Sequence, residues 1–400
     1  MLTTLTHWIG WATGPFAPAR HSAHAHERLR LGTLIVIGVF KLFNFFGAVW
    51  DIQWHVSIGR DSLFIPPHMV AAGSFVGGLA LSLAAVSYES WLVRRGVRLA
   101  GAVRRGGLAT APAFLGIALA YLAATFFTFT DDLWHRAYGL DATLWSPPHL
   151  AIMLAMNTID LCLLLGMTAA ARRLGQPLSP RWPFFWGFIL AGAFTFESAN
   201  FQLSQAFIEG YGRGGAGLWG LLFPILMGVW YPLALTAMVG LARRFWVVLP
   251  ILGLTLLLQY TGTGLAQVGF AVLQPEAVID AFVRDNPGSA IALARDFAMR
   301  NGFTSLIGFQ QAWVMWLSAA PLTLVALLDL WPKLRDRPLL AAPVYSASLV
   351  LACMVLFRGL PVMADYDINA GHVAAALALA LAGGWVMGKV GVRLAALVDR

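Results

Sequence analysis

Asp51 and His55 stand four residues apart, and His68 follows thirteen residues after His55. The same order returns further along the chain: Asp131, then His135 four residues on, then His149 after fourteen more. A carboxylate and two imidazoles suit Cu(II), Fe(II), Zn or Ni, and ligand type alone does not choose among them. The Asp–His spacing of four puts both side chains on one helix face, one turn apart. Each later histidine follows a proline pair, Pro66-Pro67 or Pro147-Pro148. Proline suits the first helical turn, where its missing N–H would have had no partner. A helix end bearing Asp and His therefore returns beside a helix start bearing a second His, and three donors converge in each copy. Cys162 and Cys353 are the only cysteines, both within apolar runs, so a thiolate metal site is not supported.

Composition says what positions these donors. The chain has 400 residues, 59% hydrophobic and 12% charged, with a mean hydropathy of +0.71. Soluble domains carry about 25% charged residues. The chain lacks the polar side chains to coat a globule of this size. It reads as all-α, a polytopic transmembrane bundle with lipid as its outer solvent. The net charge of +8 then needs no nucleic acid, because basic residues belong on cytoplasmic loops.

Ten stretches have the length and apolarity of a membrane span: 31–50, 67–92, 108–129, 147–171, 183–204, 217–241, 246–273, 303–328, 340–362 and 371–392. Segment 274–302 is too polar to span and reads as an outer lid or surface helix. Most arginines, including Arg94, Arg95, Arg98, Arg104 and Arg105, fall between spans on the side shared with the N-terminus. That side is expected to be cytoplasmic, with both termini there. Both motifs then face the periplasmic side of a bacterial inner membrane. The expected organisation is a cytoplasmic arm over 1–30, a four-helix unit over 31–173 with the duplicated motif, and a six-helix unit over 174–400. His21, His24 and His26 in the arm read as solvated.

Several residues near the motifs could support a metal. Asp61 and Asp141 could hold a ligand imidazole by its other nitrogen, or pair with Arg60 and Arg136. Trp54 and Trp134 read first as an interfacial aromatic belt. Glu197, beside Asn200, Gln202 and Gln205, could line a hydrated path or support the site. His372, with Asp365 and Asp367, could add a ligand or sit on a solvated turn. Lys41 lies near mid-span, where an ionisable group is a functional candidate; a buried countercharge such as Asp160 would suit it.

Asp51, His55, Arg60, Asp61, Phe64, Pro66 and His68 fill the pattern D-x3-H-x4-R-D-x2-F-x-P-x-H. This resembles the first metal motif in the C subunit of the particulate methane and ammonia monooxygenases. The resemblance implies Asp51, His55 and His68 as copper ligands. That family has a second motif, Asn-x3-His-x13-His; His135 and His149 match its histidines, and Asp131 stands where the family has Asn. The likeness runs over roughly residues 40–170 and leaves the later spans without a counterpart. It implies a copper-dependent monooxygenase, or a subunit of one, that oxidises a small apolar substrate with O2. It also implies partner subunits and a trimeric assembly. No haem, flavin or iron–sulfur motif is visible, so electrons would come from a quinol or a partner. On ligand type, iron and zinc stay open beside copper. The alternative is a transition-metal transporter or metal-loading protein, which would need ligands continuing through the membrane.

Overall fold

The computed structural model describes residues 23–59, 62–138, 145–300 and 314–399. Its first half is two helical hairpins. Helix α1 (Ala23–Ser57) pairs with α2 (Pro66–Arg94), and α3 (Pro112–Tyr138) pairs with α4 (Pro147–Arg173). The hairpins close into a ring, with α2 against α3 and α1 against α4. Exchanging the two hairpins preserves this set of neighbours, as an internal duplication requires. A short two-stranded ribbon, β1 (Val103–Arg105) and β2 (Leu108–Thr110), joins α2 to α3 at the arginine-rich end. The expected span at 108–129 therefore starts later, at Pro112.

The second half is built on α5 (Pro183–Gly212), which packs against α1, α4, α6 (Leu222–Ala242) and α7 (Val248–Leu273). Two short helices, α8 (Ile279–Asp285) and α9 (Ala290–Arg300), form the polar segment expected not to span. Short helices α10 (Val314–Leu317) and α11 (Ala319–Leu327) follow, then α12 (Ala341–Phe357), α13 (Pro361–Ala364) and α14 (Ala370–Ala396). One apolar core runs through both halves, from Leu31 and Ile117 to Phe188, Tyr345 and Ala376.

Among the described residues, eight helices are long and apolar enough to cross a membrane: α1 to α4, α6 taken from Gly217, α7, α12 taken from Pro338, and α14. The protein is an integral membrane helical bundle. Helix α5, over the expected 183–204 span, has 30 residues and is not among these eight; Glu197, Asn200 and Gln205 lie in it. All three are buried, since protein surrounds this helix rather than lipid. Of the expected 303–328 span, residues 303–313 lie outside the described residues.

At the arginine-rich end the solvated reading of His26 does not hold. His26 and Glu27 are buried in the first turns of α1. His26 Nε2 and Arg30 Nε both reach Glu89 Oε1, at 2.9 and 2.6 Å. Glu89 Oε2 accepts from Thr110 Oγ1 at 2.8 Å and from the Ala111 amide at 2.6 Å. One carboxylate thus ties α1, α2 and the ribbon together. The partner lay 63 residues from His26, so local spacing gave no sign of it.

Helices α6 and α14 approach closely through Gly384, Gly388 and Gly391. A Cβ at Gly391 would collide with the Leu233 carbonyl oxygen and the Thr236 hydroxyl. Gly391→Val is expected to cost about 1–3 kcal/mol, the usual cost of overpacking. Equilibrium unfolding in mixed micelles measures it, with Gly253→Val as the control, because nothing lies within 4 Å of that position.

Candidate metal centre

Helix α1 continues without a break past Trp50, so Asp51 and His55 sit one turn apart in its last turns. The chain then reverses. The Ile58 and Gly59 amides both donate to the Trp54 carbonyl. Gly59 has φ +77°, and a Cβ there would press to 3.0 Å on Ile279 of α8; glycine meets both demands. The Val278 amide donates to the Ile58 carbonyl at 2.8 Å, so the start of α8 is pinned to this hairpin tip. Pro66-Pro67 then open α2 after an extended Ile65, and Pro147-Pro148 open α4 after an extended Ser146.

Each aspartate lies between its two imidazoles. Asp51 Oδ1 is 3.2 Å from His68 Nε2 and 3.4 Å from His55 Nδ1. Asp131 Oδ2 is 3.3 Å from both His135 Nε2 and His149 Nε2. The imidazole centroids are 6.3 Å apart in the first triad and 5.8 Å in the second. All six expected ligand residues are thus gathered into their two groups at one end of the bundle.

The triads are not copies in detail. His55 Nδ1 donates to the Asp51 carbonyl oxygen at 2.9 Å. His68 Nδ1 donates to the Ser62 carbonyl oxygen at 3.0 Å. A carbonyl can only accept, so both Nδ1 atoms carry hydrogen. His68 therefore turns its other nitrogen, Nε2, to Asp51 Oδ1 at 3.2 Å, where a proton or a metal ion would sit between two acceptors. In the second triad the Ser146 hydroxyl meets His149 Nδ1 at 3.0 Å, again leaving Nε2 to face the aspartate.

Among the described residues, one group of three offers donor atoms all within 4.8 Å of one another: Asp131, His135 and His149. Two donors about 2.0–2.2 Å from one ion stand roughly 3–4 Å apart, which the 3.3 Å separations satisfy. Asp131 Oδ1 is buried with no hydrogen bond among the described residues. Donor set, spacing and an unsatisfied carboxylate oxygen all fit a divalent transition ion. The first triad needs its His55 ring to offer Nε2, since Nδ1 is engaged with the backbone.

Both triads border one cavity of about 630 Å³. Asp51, His68, Asp131, His135 and His149 line its polar part. Phe75, Val76, Phe129, Ile152 and Phe201 line much of the rest. At its edge Arg136 pairs with Asp132 at 2.6 Å. The spacing of four between those two carried the signal for this pair, and Ser-Pro-Pro-His carried the signal for Ser146.

The supporting residues divide. Trp54 is buried and stacks on Phe270 of α7, with centroids 6.0 Å apart, so it wedges two helices rather than standing in a belt. Trp134 packs on Tyr138 at 4.4 Å. Glu197 lies deeper, under the charges of Lys41 and Asp160. His372 caps α14: its amide donates to Asn369 Oδ1 at 3.0 Å, and its Nδ1 accepts from the Asn369 amide at 3.3 Å. Arg60, Asp61 and Asp141 lie outside the described residues.

Comparison with known families, characterised proteins and solved structures returns no match.

Proposed function

We propose that this chain is a copper-dependent membrane monooxygenase, or the metal-bearing subunit of one, acting on a small apolar substrate. The observation that carries the reading is one largely apolar cavity bordered by Asp51 and His68 of the first triad and by all three residues of the second. Asp51, His55 and His68 would hold one ion, and Asp131, His135 and His149 another. Bound copper supplies the redox chemistry that reduces O2 and inserts one oxygen atom, with two electrons from a quinol or a partner subunit. The protein's own part is positional. The carboxylates fix and charge-balance the ions, the Ser62 carbonyl and Ser146 hydroxyl orient the imidazoles, and the phenylalanine wall admits apolar molecules while limiting water.

The proposed topology has ten spans and both ends in the cytoplasm of a bacterium, with the triads toward the periplasm, as the arginine distribution supports. The likeness to the particulate monooxygenase C subunit supports copper over iron or zinc, and a trimeric assembly with partner subunits. The transporter reading is less well supported. Deeper in the bundle, a cation leaving the cavity would meet the ammonium of Lys41, which is paired to Asp160 at 2.8 Å.

The test is isotope incorporation. Copper-loaded membranes given a quinol, 18O2 and a panel of small alkanes, alkenes and ammonia are expected to yield labelled product. Chelation should abolish the product, and copper, not zinc, should restore it. Absence of labelled product with copper verified on the protein would contradict the proposal.

A further inference from the structure

A second polar site lies beneath the cavity and takes no part in holding the triads. Lys41 on α1 donates to Asp160 Oδ1 on α4 at 2.8 Å, and Ser198 Oγ on α5 donates to Asp160 Oδ2 at 3.3 Å. The Lys41 and Asp160 side chains are 2% and 0% exposed. Glu197, beside Ser198, is 7% exposed. It has no hydrogen bond or ion pair of its own among the described residues.

The charge count is uneven. One ammonium and one carboxylate already neutralise each other, and Glu197 is a second carboxyl. A net charge inside a membrane bundle is costly unless paired. The group reaches neutrality by holding one proton. A purely structural pair would need only Lys41 and Asp160.

The location is set by three helices. Asn44 lines the cavity three residues beyond Lys41, Phe201 four residues beyond Glu197, and Thr125 four residues beyond Tyr121. Each step is about one helical turn, roughly 5 Å. Tyr121 on α3, hydrogen-bonded to Ser74 at 3.2 Å, feels the charge of Asp160. The cluster therefore lies one turn under the cavity floor on three separate helices.

We infer that Glu197, set against the Lys41–Asp160 pair under the cavity floor, is a proton-binding site that exchanges one proton with cavity water. The step is an exchange: the Glu197 carboxyl loses H+ to water and regains it from hydronium. Lys41 and Asp160 are the charged groups that act on Glu197. Cys162 on α4 and Tyr121 on α3 feel the charge of Asp160 instead. From α6, Tyr231 packs on the neighbouring Phe196. From α7, Thr255 bonds the Ala193 carbonyl one turn away. Neither adds a charge. The inference holds whichever ion the triads take, and it gives a proton-consuming reaction in the cavity a donor close by.

Infrared difference spectroscopy on the full chain in lipid nanodiscs tests this without added metal. Wild type is expected to show a protonated-carboxyl C=O band that shifts in D2O and disappears as pH rises. Glu197→Gln should lose the band, and Glu197→Asp should restore one at a shifted frequency. A band that persists in Glu197→Gln overturns the inference. So does the absence of any D2O-sensitive carboxyl band in wild type whose helical circular dichroism is intact.

Discussion

His149→Ala removes the tighter of two Cu(II)-binding events and leaves the other in place. The difference between the triads is the reason. Asp131, His135 and His149 already present converging donors within 4.8 Å, and Asp131 is the more buried carboxylate, its side chain 12% exposed against 24% for Asp51. The first triad must commit His55 through the nitrogen opposite its backbone hydrogen bond. An outer-shell partner of a metal ligand is commonly worth 10–100-fold in affinity, so losing a donor itself should cost more than about 100-fold. Calorimetric titration of metal-free protein should show two events in wild type. It should show only the weaker in His149→Ala and only the tighter in His68→Ala. Equal loss of both events in either variant would mean that one shared ion, not two, occupies the cavity.

Lys41→Met is the substitution expected to cost most in stability. It leaves Asp160, 0% exposed, without its cation in the interior of the bundle. Breaking a buried pair by removing one partner costs about 3–5 kcal/mol, whereas replacing both with apolar residues is often neutral or stabilising. Lys41→Met/Asp160→Leu should therefore recover most of the loss. Equilibrium unfolding in mixed micelles measures both variants. A double variant no more stable than Lys41→Met would show that the deficit comes from other lost contacts, such as the Lys41 ammonium over the Phe194 ring, 5.4 Å from its centroid, rather than from the stranded charge.

Much of the site was legible because the relevant contacts are local or repeated. The spacing of four within a helix and the proline pair opening the next place Asp51, His55 and His68 without knowledge of the rest. The second copy fixes Asp131, His135 and His149 in the same way. The Lys41–Asp160 pair was legible on physical grounds, since a lysine at mid-span demands an anion. What escaped depends on how distant helices meet. The shared cavity exists because α1 to α4 close into a ring, and nothing in either motif specifies that closure. Trp54 looked interfacial because its partner, Phe270, lies on α7. Glu197 was read as lining a hydrated path or supporting the metal site, and the choice depends on how the neighbouring helices wrap α5. That same wrapping lets a helix hold Glu197, Asn200 and Gln205 at little cost, and it lowers the hydropathy by which a span is read. His372 was read by composition, whereas its job follows from Asn369 three residues earlier.

In the proposed function each hairpin tip gathers one transition-metal ion onto a common cavity. Elemental analysis with electron paramagnetic resonance, on protein purified from copper-replete cells without chelators, tests it most directly. Wild type should carry about two coppers per chain with nitrogen hyperfine structure from imidazole, and His55→Ala and His149→Ala should each carry about one. Wild-type protein with no stoichiometric metal, or full copper content retained in both variants, would contradict it.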